Sequence, residues 1–116
     1  MDRIEFSRLI THLKMRMLND NVDFIDDFML RSAEEQNRLF KKGLSNCDGY
    51  KKKSGHQKGK AEDIYFAING KVDYGYETPE ANEYADRYHA QWVDMGGKPE
   101  IESNHRGKWD RGHYEG

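Results

Sequence analysis

The sequence predicts an α+β domain, a short central antiparallel sheet flanked by helices. Three observations predict it. An apolar stripe at helical spacing opens the chain, an aromatic-rich run closed by Asn69-Gly70 lies in the middle, and a second, capped helical stripe follows. Helices and strands in that order suit a small antiparallel sheet with helices packed on it.

The first helix is read from Phe6, Leu9, Ile10, Leu13 and Met17, which share one face at 3.6 residues per turn. Asn19-Asp20-Asn21 supplies turn chemistry that stops it. Val22 to Leu30 is short and apolar and reads as an extended segment feeding the next helix. Ser32 with Glu35 forms a capping box, a helix over Ala33–Lys42 follows, and Gly43 stands where a left-handed cap is wanted. Leu44 to Lys60 is rich in Gly, Ser, Asn, Asp and Lys and reads as a long surface loop, a length often associated with function. Asp63 to Ile68 reads as a strand. Asn69-Gly70 is a strong hairpin signal because both residues tolerate positive φ, and Lys71 to Tyr74 is the expected return strand. Thr78-Pro79-Glu80 starts the last helix with an N-cap, a proline at the first position and an acid near the positive end. Its inner face is Ala81, Tyr84, Ala85, Tyr88, Trp92 and Met95, and Gly96-Gly97 ends it. A last short strand is expected within Trp109–Glu115.

Composition bounds the function. At 116 residues the chain has room for one domain, spanning 1–116. It is 35% hydrophobic and 34% charged, with a mean hydropathy of −1.10, so its core is thin. The twelve per cent of aromatic residues must carry much of the burial. No run of apolar residues is long enough to span a membrane. The opening MDRIEFSRLITHLKMRM interleaves charges with apolar residues, unlike a signal peptide, so synthesis in the cytoplasm without export is expected. A net charge of −2 and a pI near 6.2 argue against nucleic acid as a partner. The lone Cys47 excludes an internal disulfide framework and a cysteine-rich zinc site. Any metal must therefore be held by histidines and carboxylates.

The stretch from Ser54 to Asp63 carries chemistry. His56 precedes a turn at Gly59, small Ala61 leaves room, and Asp63 opens the strand behind it, so the two zinc-competent side chains can converge. His113 offers a third ligand, leaving a fourth position for water, and Asp110 can stand beside that water as a base. Other histidines compete. His89 reads as a surface or partly packed residue, His105 as a cleft residue or one without a role, and His12 as structural. Asp110 has an alternative reading as a salt-bridge partner of Lys108 or Arg111.

Ser54-x-His56-x-x-Gly59-x-Ala61-x-Asp63, followed by Asp110-x-x-His113, resembles the motifs of the zinc D-alanyl-D-alanine carboxypeptidase family. The L-alanyl-D-glutamate endopeptidase branch, which includes phage endolysins, fits best. Arg31 with Glu35-Gln36, then Leu39, Gly43 and Ser45, is similar to a further family segment, as is Trp92 with Gly96-Gly97. The resemblance implies a hedgehog-like α+β fold with Zn2+ bound by His56, Asp63 and His113. It further implies Asp110 as the proton carrier, Arg31 beside the oxyanion and Ser54 orienting ligands or substrate. The implied partner is a peptidoglycan stem peptide, the implied state a monomer, and the implied setting lysis, with release from the cytoplasm onto the cell wall. The scissile bond, L-Ala–D-Glu or a D-Ala–D-Ala-type bond, stays open. So does a non-catalytic domain that keeps zinc for stability and binds wall peptide or a virion partner, and so does a metal-free interaction domain. The Lys51-Lys52-Lys53 run fits no family feature.

Overall fold

A computed structural model describes residues 1–27, 33–44, 47, 49–50, 58–100 and 110–116. Helix α1, Arg3–Asn19, starts at Asp2, whose carboxylate accepts from Glu5 N at 2.7 Å. The expected stripe is buried: Phe6, Ile10, Leu13 and Met17 face inward, and Leu9 packs at the margin. Asn21, at φ 59°, turns the chain, and Val22 docks back on the helix through Met17 O. Strand β1, Phe24–Asp27, follows. Helix α2, Ala33–Lys41, ends at Gly43, whose φ of 73° is the left-handed cap the sequence demands. The capping residue Ser32 lies outside the described residues, as do residues 45, 46, 48 and 51–57 of the expected 44–60 loop.

Strand β2, Ala61–Ile68, begins two residues before the expected start and is the spine of the sheet. It pairs antiparallel with β1 on one side, Phe24 opposite Phe66 and Asp26 opposite Ile64. On its other side lie β3, Lys71–Val72, and β4, His113–Glu115, each antiparallel. Both occupy that side because Ile64 N donates to Gly112 O and Asp73 N donates to Phe66 O. The Asn69-Gly70 turn has both residues at positive φ, 53° and 79°, as a two-residue hairpin needs. The return strand is shorter than expected. Asp73 makes the last bond to β2 through its N–H, and its carboxylate accepts from Glu77 N, Thr78 N and Thr78 Oγ1. It thereby organises the turn into helix α3, Pro79–Asp94, whose Thr78 cap accepts from Ala81 N at 3.2 Å.

The pleat of β2 separates two faces. Ile64 and Phe66 are fully buried with Tyr88, Trp92, Tyr114 and the α1 stripe. Phe66 meets the rings of Tyr84 and Tyr88, and Trp92 meets Phe6 edge-on. Each such buried side chain contributes roughly 2–3 kcal/mol, which is how few apolar residues hold the domain. Gly97 closes α3 directly against the Trp92 indole, leaving no room for a Cβ. The result is a small α+β domain, as expected, with a four-stranded antiparallel sheet among the described residues. Among the described residues no helix is long and apolar enough to cross a membrane.

Candidate metal centre

The register of β2 and β4 sets Asp63 directly opposite His113, so both side chains leave the sheet on the face away from Ile64 and Phe66. His113 Nδ1 lies 3.4 Å from Asp63 Oδ1. The other ring nitrogen, Nε2, donates to Glu115 Oε1 at 2.9 Å. Glu115 follows His113 by two residues and shares its face, and its second oxygen accepts from Lys98 Nζ at 2.8 Å. The result is a chain of contacts from Lys98 through Glu115 and His113 to Asp63, with His113 9% exposed.

Electrostatics follow from that geometry. Burial works to lower the His113 pKa, but hydrogen bonds to Asp63 and Glu115 outweigh it and, with the nearby charge of Asp110, raise it to about 9. Burial alone would raise Glu115; hydrogen bonds from His113 and Lys98 instead hold it at about 2, so it is a carboxylate at neutral pH.

The approach to His113 is a tight turn. Asp110 accepts from His113 N through its backbone carbonyl at 3.2 Å, and its side chain is at the surface. Arg111 anchors the turn to α3. Its guanidinium donates to Asn82 Oδ1 at 2.8 Å, to both Glu100 oxygens at 3.2 Å, and to Asp86. The expected alternative, an Asp110–Arg111 pair, gives way to these partners. Gly112 sits where a Cβ would stand 3.0 Å from the Tyr65 ring and 3.2 Å from Ile64 O. Tyr65, two residues along the face from Asp63, packs against Tyr74 at 5.2 Å between centroids.

Of the expected site residues, the fold brings Asp63, Asp110 and His113 to one edge of the sheet. Arg31, Ser54 and His56 lie outside the described residues. Among the described residues no group of three His, Cys, Asp or Glu side chains is placed to hold a metal ion. Asp63 and His113 nonetheless fit zinc as a pair, one carboxylate and one imidazole nitrogen directed at each other with the second ring nitrogen already engaged.

Two other histidines differ from expectation. His89 is buried, 5% exposed, and stacks on Tyr114 with ring centroids 4.1 Å apart. Its Nε2 donates to Arg111 O at 2.8 Å, and burial lowers its pKa. It is a core residue that ties α3 to the turn before β4. His12 is exposed on α1 rather than part of the packing.

Two contributors escaped the sequence reading. Glu115 had a usable signal, since His-x-Glu on a strand puts both side chains on one face. Arg111 had none, because its partners belong to α3 and to the segment after it. Neither the models of known protein families nor the curated proteins give a match to this chain.

Proposed function

We propose that this chain is a zinc peptidase that hydrolyses amide bonds in peptidoglycan stem peptides, of the kind found in phage endolysins. L-Ala–D-Glu is the preferred bond and a D-Ala–D-Ala-type bond the alternative. One observation carries the reading. Asp63 and His113, fifty residues apart in sequence and assigned together by two short motifs, face each other across β2 and β4 at 3.4 Å. The acid expected to move protons, Asp110, lies in the turn that delivers His113.

Zinc held by Asp63, His113 and His56 would supply Lewis acidity toward the scissile carbonyl. Asp110, at the surface of the same edge, accepts a proton from the attacking water and returns it to the leaving amine. Arg31 offsets the charge on the carbonyl oxygen, and Ser54 orients the peptide. Arg111 keeps the Asp110–His113 turn on α3, which fixes the acid relative to the ligand.

The test is mass spectrometry of muropeptides released from purified sacculi, with zinc measured on the same protein. About one zinc per chain is expected, with new amino termini at D-Glu that disappear on chelation. Intact sacculi in the presence of the zinc-loaded chain refute the reading. A second reading, a zinc-stabilised domain that binds wall peptide without cleaving it, is favoured by how completely Asp63 and Glu115 satisfy His113. Asp110→Asn separates the two. Catalysis predicts unchanged zinc and a rate lower by on the order of 10²–10⁴, whereas a binding domain keeps its full function.

A further inference from the structure

The motifs account for Asp63, Asp110 and His113 but not for what holds the imidazole. A histidine ligand must present one particular nitrogen, and a neutral ring chooses between two tautomers. On β4 that choice is imposed from the protein side. A carboxylate can only accept, so the 2.9 Å contact between Glu115 Oε1 and His113 Nε2 places a hydrogen on Nε2. When a metal displaces the other ring proton, the lone pair falls on Nδ1, the atom that faces Asp63.

Glu115 is itself well fixed. Its carboxylate accepts from Lys98 Nζ at 2.8 Å, and its backbone carbonyl accepts from Lys98 N at 2.8 Å and from Trp92 Nε1 at 2.9 Å. Strand pairing completes the hold, with Glu115 opposite Ala61 just as His113 is opposite Asp63. Its position therefore depends on the end of α3 and on β2, both rigid elements of the core.

We infer that Glu115 is a positioning residue, braced by Lys98, that accepts a hydrogen bond from Nε2–H of His113 and so presents Nδ1 as the metal-binding nitrogen. The arrangement is a carboxylate–histidine–metal relay in which the outer carboxylate sets ring orientation and tautomer and makes the ligand more basic. The inference rests on the zinc reading above.

The test uses the full chain, with Zn2+ affinity measured by competition against a chromophoric chelator. Glu115→Ala is expected to weaken zinc about 10–100-fold. Glu115→Gln, which keeps an acceptor oxygen on a side chain of the same length, recovers most of that loss. Lys98→Met, which removes only the brace, weakens binding about twofold to fivefold. In the zinc-bound wild type, long-range proton–nitrogen spectra of labelled histidine should show the His113 proton on Nε2 and none on Nδ1. A wild-type zinc affinity in both Glu115 variants, or a proton on Nδ1 in the zinc-bound spectrum, overturns the inference while leaving zinc binding intact. A wild-type chain that takes up no Zn2+ overturns the zinc reading itself, and this inference with it.

Discussion

Glu62, 2% exposed, lies on the helix side of β2, while Asp63, the next residue, lies on the opposite side against His113. Both acids stand against a basic group, and the kind of base separates their roles. Glu62 pairs with Lys14 of α1, which also reaches Asp26 of β1. Burial outweighs that cation and pushes Glu62 up to about 7, while the Lys14 hydrogen bond lowers Asp26. An ammonium group has three protons and no lone pair to give, so this cluster joins helix to sheet and presents no nitrogen donor to a metal. An imidazole can lose a proton and offer a lone pair, so the cluster on the other face can trade its internal ion pair for a metal. Two adjacent carboxylates of the same strand thus meet different bases because the pleat sends them to opposite faces.

The widest gap between the two faces should appear in zinc content. Asp63→Ala and His113→Ala are expected to abolish stoichiometric zinc and muropeptide release, whereas Glu62→Gln keeps both; elemental analysis of the purified variants checks this. Equal zinc loss in Glu62→Gln would erase the distinction between the faces.

Next in size is the pH dependence of stability in the chelated protein. Glu62 has a folded pKa of about 7 against an ordinary 4.5, so its contribution is full below 4.5 and lost as pH rises through 7. His113, at about 9 against 6.5, contributes fully below 6.5 and loses its share as pH rises through 9. Each step is of order 3 kcal/mol at one pKa unit per 1.4 kcal/mol. Thermal melts with chelator should therefore show Tm falling from pH 5 to pH 9. Glu62→Gln removes the lower part of the fall and His113→Gln the upper part. A wild-type Tm that rises over this range contradicts the assignment.

The smallest effect concerns the two glycines that bring β4 and the end of α3 against their neighbours. Gly97→Ala drives a methyl into the Trp92 indole on the core side and should cost about 1–3 kcal/mol. Gly112→Ala meets the edge of the Tyr65 ring at 3.0 Å, a side chain partly open to solvent that can shift, and should cost about 1 kcal/mol. Denaturant midpoints of the two variants rank them, and a reversed order would mean the site face is packed more rigidly than the core.

Much of the scaffold was legible because its signals are local. The α1 stripe, the positive-φ pair Asn69-Gly70, the Thr78-Pro79 cap and the left-handed Gly43 each depend on a few neighbouring residues and elementary backbone sterics. The motif spacing likewise paired Asp63 with His113 before any register was known. What escaped depended on residues distant in sequence. The early end of the return strand came from Asp73 turning to cap Thr78. The burial of His89 required β4 to lay Tyr114 over its ring, and nothing around His89 in the sequence encodes that.

Periodicity, φ preference and side-chain chemistry belong to single residues and short runs, so the helix stripes, the hairpin turn and the candidate metal donors were readable from the sequence alone. Only the tertiary structure decided which face of β2 each acid occupies, that Arg111 serves α3 rather than Asp110, and that Glu115 and Lys98 stand behind His113. Those outcomes follow from the antiparallel register of β2 with β4 and from the docking of both on α3. Register is a property of paired strands, and a shift of one residue would have exchanged Glu62 and Asp63 between the core and the site.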